Sequence, residues 1–285
     1  MKKTAVLVDS TAYMDNALKN NKNLRIVYLT VNIDKQVKKE ILDINMDEYL
    51  KYLSKERKKF PTTSQPAIGE IVKVLQNLKK EGYTDVIAIA LSSGISGTYS
   101  SYKTASLMVE GIELHTFDSE VSCQAETYYV RKALRLIEEG VCPEKIINEL
   151  DEMKKISRAY FVVDDLSHLQ RGGRLTHAEA IIGSLLQVKP ILHFENTKIV
   201  PYQKIRTLKK TIKKMYELFD EYYTKNIGKN IYISVLHINN IEKAEEIKEY
   251  LESNYKNINI EVGEIGPVIA THLGPGVIGM CYTIL

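Results

Sequence analysis

Three apolar runs of strand length each stop in a cluster of small polar residues, and this recurrence constrains the fold more than any other feature. Residues 4–8 stop at Asp9-Ser10-Thr11, residues 85–90 enter Leu91-Ser92-Ser93-Gly94-Ile95-Ser96-Gly97-Thr98, and residues 112–117 stop at Asp118-Ser119. Helical periodicity lies between and after them. Residues 46–58 carry Met46, Tyr49, Leu50 and Leu53 on one stripe, and residues 67–81 carry Ile68, Ile71, Val72 and Leu75 before Gly82. Residues 99–109, 123–139 and 143–155 also read as helices. Residues 24–33, rich in Val, Ile and Tyr, read as one further strand, and Pro61-Thr62-Thr63-Ser64-Gln65-Pro66 as a polar loop closed by proline. Strands alternating with helices build βαβ units and a mainly parallel sheet. Ligands of such sheets gather beyond the carboxyl ends of the strands.

A second unit begins near Ser157. It contains strands at 158–163, 231–237, 258–265 and 277–284, and a hairpin of 188–194 and 198–205 around Asn196-Thr197. Its helices are a short one at 166–170, a small-residue one at 178–186, a long amphipathic one at 207–225 and another at 241–254. The fold class is therefore α/β in two domains: a mainly parallel α/β domain over residues 1–157 and an α+β domain over residues 158–285.

Bulk properties exclude several function classes. With 285 residues, 39 basic against 36 acidic side chains and a net charge of +3, the chain has no electrostatic bias toward nucleic acid. Cys123, Cys142 and Cys281 are scattered, with no CxxC pair and no disulfide framework. Lys2 and Lys3 resemble a signal-peptide start, but the apolar run stops at Asp9 and no stretch is long enough to span a bilayer. A cytoplasmic protein is expected.

The loop at 91–98 is the first candidate site. Its glycines let backbone N–H groups approach a ligand, and a helix start carries unpaired donors and partial positive charge. That chemistry suits a carboxylate or phosphate. The alternative is a Ser/Thr-capped helix start with no ligand. Gly94-Ile95-Ser96-Gly97 is one residue short of a nucleophile elbow, so a serine hydrolase using Ser93 and His272 is the enzymatic alternative. A phosphate sensor using the same helix start is a third reading. Gly274, Gly276 and Gly279 spell a dinucleotide fingerprint, but no βαβ unit can follow in the remaining six residues. No P-loop is present.

No metal site is expected, since the six histidines show no ligand spacing and His115 and His237 sit in strand-like runs. His272 differs, placed among Gly266, Pro267, Gly274, Pro275 and Gly276 in a segment built to turn tightly. Arg171 and Arg174 flank two glycines, either as an anion-binding loop or as basic residues complementing a helix end. Lys189-Pro190 suits an edge strand, because proline cannot donate to a ladder.

Six pieces in this order resemble the DegV family of bacterial lipid-binding proteins: Asp9-Ser10-Thr11, Thr63-Ser64-Gln65-Pro66, Ser92 to Thr98, Leu169-Gln170-Arg171-Gly172-Gly173-Arg174, Lys189-Pro190, and Thr271-His272-Leu273-Gly274-Pro275-Gly276. Ala67 is a departure, standing where a serine often follows the proline. The resemblance implies two α/β domains holding a long-chain fatty acid, such as palmitate, between or within them, with the acyl tail in an apolar tunnel. It implies that Thr63 and Ser93 hold the carboxylate, with His272 nearby and Arg171 implicated at the headgroup; Ser92, Gly94 and Ser96 are secondary candidates. It further implies a lipid-binding subunit, with no catalytic residue, metal or cofactor of its own, that presents the acid to a separate ATP-binding fatty acid kinase subunit. Transient contact with a membrane surface is a further expectation.

Overall fold

The computed structural model describes residues 3–54, 60–175 and 188–285. The chain divides into two compact units, Met1–Ile44 with Pro61–Ile156, and Asn45–Phe60 with Ser157–Leu285. Chain order alone places the segment Asn45–Phe60 in the first unit; the fold places it in the second.

In the first unit, β1 (Thr4–Asp9), β2 (Leu24–Val27), β6 (Asp85–Ala90) and β7 (Glu113–Asp118) form a parallel sheet in the order β2-β1-β6-β7. Both central strands are buried along their length, as expected of strands covered on both faces. Ala5, Leu7, Val86, Ala88 and Ala90 pack with Ile71, Leu75 and Leu78 of helix Ile68–Lys80 and with Tyr102 and Ala105 of helix Thr98–Ser106. The alternate residues Val6, Val8, Ile87 and Ile89 are equally buried and turn the other way, where helices Gln124–Glu138 and Pro143–Ile156 lie against β6.

The expected strand over 24–33 is two strands in two sheets. After β2 the chain leaves the parallel sheet, and β3 (Thr30–Ile33) forms an antiparallel sheet with β4 (Gln36–Lys39) and β5 (Thr62–Ser64) in the order β4-β3-β5. A continuous run of β-formers does not show where pairing changes partner. The 61–66 stretch, expected as loop, supplies β5.

In the second unit six strands form one mixed sheet: β8 (Arg158–Val162), β9 (Ile191–Glu195), β10 (Lys198–Gln203), β11 (Ile231–His237), β12 (Ile258–Glu264) and β13 (Ile278–Ile284), in the order β10-β9-β8-β13-β11-β12. Among the pairings of these six strands, β11/β12 is the parallel one. Asn196 and Thr197 both take positive φ, 48° and 69°, as a two-residue hairpin turn of the primed type requires. Helices Leu208–Lys225 and Ile241–Asn254 cover one face, burying Met215, Phe219, Ile247 and Leu251 against Ile233, Val235, Ile278 and Met280. Lys189-Pro190 precedes β9 without joining a strand; the edge-strand proline is Pro201 on β10.

The expected helix at 178–186 lies outside the described residues, as does the end of the expected helix at 46–58, which is described as Met46–Leu53. Residues 267–273, expected as a turning loop, form a helix with Pro267 at its start. Among the described residues no helix is long and apolar enough to cross a membrane.

Candidate functional site

The candidate residues fall into two groups, one in each unit. In the first unit, Thr63 sits on β5 opposite Val31 of β3 and is partly buried. Gln65 follows, and its side chain lies so close over Gly97 that a Cβ there would overlap the Gln65 amide. The same amide donates from Nε2 to the Ser101 hydroxyl at 2.9 Å. One side chain thus holds the Thr63 strand against the start of helix Thr98–Ser106 and fills the space a Cβ at Gly97 would take.

The loop after β6 separates its hydroxyls by task. Ser92 is fully buried, with its N–H donated to the Val121 carbonyl at 2.7 Å. Ser96 accepts from the Thr98 N–H at 3.3 Å and pairs with the Thr98 hydroxyl at 2.9 Å. It performs the capping that Gly97, the N-cap residue, cannot. Ser93 and Gly94 are exposed. The Ser93 N–H is fixed by Asp118 Oδ1 at 3.1 Å, while its hydroxyl makes no hydrogen bond to another described residue. Of the three serines, Ser93 alone is both anchored through its backbone and exposed at its hydroxyl.

In the second unit, three of the sequence pieces meet. Helix Ser167–Gly172 packs on helix Pro267–Leu273 through reciprocal glycine–histidine contacts. A Cβ on Gly172 would overlap Nδ1 of His272, and one on Gly274 would stand 2.6 Å from Cδ2 of His168. Gly276, at φ 81°, would place a Cβ 3.1 Å from that of Asp164, whose carbonyl accepts from Lys189 Nζ at 2.7 Å and whose carboxylate pairs with the same amine. Thr271 donates its hydroxyl to the Pro267 carbonyl at 2.7 Å, which leaves Tyr49 OH as donor in their 2.6 Å contact. Arg171, exposed, lies 3.8 Å above the Phe60 ring.

His272 is a neutral imidazole in this setting. Burial, with the Arg174 guanidinium as a positive neighbour, lowers its pKa to about 4. A general base for ester hydrolysis needs a pKa near the working pH and a carboxylate behind it. The Arg174 charge beside His272 acts in the opposite sense, so this environment does not favour the hydrolase alternative.

A family model described as "Uncharacterised protein, DegV family" matches residues 3–284. The chain belongs to the DegV family. Protein DegV of Bacillus subtilis is 47% identical over 279 residues, 98% of each chain. The crystal structure of DegV from Bacillus subtilis, described as a fatty acid binding protein, superimposes with a TM-score of 0.93 at 46% identity over the whole of both chains. A fatty acid binding DegV family protein from Streptococcus agalactiae gives 0.91 at 32% identity, again over both whole chains. A fatty-acid-binding DegV family protein from Thermus thermophilus gives 0.90 at 27%, covering 99% of this chain and 100% of that one.

Among the described residues of this DegV protein, Asp85, Glu113 and His115 bring ligand atoms within 4.8 Å of one another. His115 Nε2 already stands 3.0 Å from Asp85 Oδ1, and the Thr84 hydroxyl donates to Oδ2 at 2.7 Å. This is a sheet histidine satisfied by its neighbour strand. Two further residues lie behind the Ser93 loop, Asp9 and Glu126. Both are fully buried, and Asp9 accepts from the Leu91 N–H at 2.8 Å at the root of the Ser93 loop. Asp9 was visible as a polar strand end; Glu126, within an amphipathic helix, carried no signal.

Proposed function

We propose that this protein binds a long-chain fatty acid, palmitate being a representative ligand. Thr63 and Ser93 donate their hydroxyls to the carboxylate; roles for His272 and Arg171 toward that headgroup belong to the same proposal. The observation that carries the assignment is Ser93 itself: an exposed hydroxyl with no bond to another described residue, on a loop pinned by Asp118. Full-length relatives at 46% and 32% identity described as fatty acid binding support the ligand class. Two hydroxyl donors suit an anion, since charge-assisted hydrogen bonds are the stronger kind.

In this reading the headgroup contacts set orientation and the tail sets affinity, because each buried methylene contributes ~0.8 kcal/mol before ordering costs. An apolar tunnel for the tail is part of the proposal. So are a cytoplasmic location, transient contact with a membrane surface, and presentation of the bound carboxylate to a separate ATP-binding kinase subunit. The family resemblance supports the tunnel and the kinase subunit.

Organic extraction of the purified protein followed by mass spectrometry tests the ligand class, with co-purified long-chain acids expected. Ser93→Ala and Thr63→Ala should each weaken retention of a fluorescent fatty acid by ~1–3 kcal/mol, through an underpaired carboxylate. Wild-type retention in both variants removes these hydroxyls from the headgroup site.

A further inference from the structure

Behind the Ser93 loop, in the first unit, two carboxyl groups meet with no water-exposed surface. Asp9, at the end of β1, and Glu126, in the first turn of helix Gln124–Glu138, are both 0% exposed. Asp9 is well supplied with donors: Leu91 N–H at 2.8 Å on Oδ2, and Thr11 N–H at 3.0 Å and the Thr11 hydroxyl at 2.7 Å on Oδ1. Glu126 is not. Its Oε2 stands 3.1 Å from the Thr11 hydroxyl, and its Oε1 accepts from no described residue.

Counting protons decides the state of this pair. The Thr11 hydroxyl has one hydrogen but lies within bonding distance of both carboxyls, so one of the two contacts needs a proton from elsewhere. No Lys, Arg or His pairs with either group among the described residues. An ionised Glu126 with an unsatisfied buried oxygen beside an ionised Asp9 would carry the full desolvation cost.

We infer that Glu126 keeps its proton in the folded protein and donates it within the Asp9–Thr11 cluster, leaving Asp9 as the carboxylate that anchors the Leu91 N–H. Glu126 is thereby a positioning residue for the Ser93 loop; its bearing on ligand retention rests on the fatty-acid reading above. The other ionisable groups facing it are Asp118 at the end of β7, Tyr102 from helix Thr98–Ser106, and Cys123 heading its own helix, with Glu40 facing Cys123. None is a cation. The helix Pro143–Ile156, packed on helix Gln124–Glu138, buries Ile146, Leu150 and Met153. In agreement, burial and the adjacent Asp9 push the Glu126 carboxyl well above the usual carboxylate range.

The sign of the pH effect follows. The folded state holds this proton where an exposed glutamic acid has lost it. The stabilisation is therefore complete in acid and is lost as pH rises through the folded value. Glutamine copies the protonated acid in shape and keeps a donor. The test is infrared spectroscopy of the full chain at near-neutral pH, with urea unfolding at neutral and alkaline pH. Wild type should show a deuterium-sensitive carboxylic-acid C=O band that Glu126→Gln lacks, and its urea midpoint should fall on alkalinisation more than that of the variant. Absence of the band in wild type, its persistence in Glu126→Gln, or a Glu126→Gln chain that does not fold overturns the inference. Both readouts are taken on the delipidated full chain, so neither depends on bound fatty acid. Failure here and failure of the ligand assignment are therefore separate results.

Discussion

At the scale of single residues, neighbouring glycines do different work. Gly172 has open backbone geometry but no room: His272 stands where its Cβ would go. Gly173 has room but a positive φ of 67°. Gly172→Ala should therefore cost about 1–3 kcal/mol through overpacking, measured by urea unfolding, and should shift the His272 imidazole resonances. Gly173→Ala should cost about 1 kcal/mol from backbone strain and leave those resonances in place. Equal perturbation of His272 by both would remove the packing account. His272 supplies a pH prediction as well. Its folded pKa, about 4, lies below the 6.5 of an ordinary histidine. The unfolded chain therefore binds the proton first, and stability present above 6.5 is lost as pH falls through that window. The loss attributable to this group is at most on the order of 3 kcal/mol, less after solvent screening. An imidazole titrating near 6.5 by NMR would contradict it.

At the scale of elements, the first-unit site depends on a clamp between β5 and helix Thr98–Ser106. Gln65 lies over Gly97 and donates to Ser101. Gly97→Ala should force the Gln65 side chain away and weaken fatty-acid retention, although no proposed ligand contact is removed. Gln65→Ala relieves the overlap, so the double variant should fall short of the sum of the two single effects by about 0.5–3 kcal/mol in a double-mutant cycle. Strict additivity would show that the two positions do not meet.

At the scale of the whole molecule, the division into units does not follow chain order. Helix Met46–Leu53 buries Tyr49, Leu50 and Leu53, and the Tyr49 hydroxyl donates to Thr271 in the second unit. A fragment beginning at residue 157 leaves out that helix. It should unfold at lower urea concentration than the second unit of the full chain, and a peptide spanning residues 45–60 should restore part of the loss. Within the intact chain, Tyr49→Phe should cost about 0.5–1.5 kcal/mol, because the buried Thr271 oxygen loses a donor while its own bond to the Pro267 carbonyl remains. A fragment as stable as the intact second unit would show that the segment is an ornament.

The sequence by itself determined the parallel first sheet, since continuous apolar runs alternating with amphipathic helices admit few other arrangements, and it determined the hairpin at Asn196-Thr197, whose turn chemistry is local. It also marked Ser93, Thr63 and His272 as residues of interest. Tertiary structure alone decided the rest. Whether 24–33 is one strand or two depends on which partner each half pairs with. Which serine of the loop stays exposed depends on Val121 and Asp118, far along the chain. Glu126 is legible only when Asp9 and Thr11, more than a hundred residues away, are brought to it. Periodicity reports the environment of a residue along its own element; proton sharing, clamps and glycine contacts belong to pairs that only folding creates.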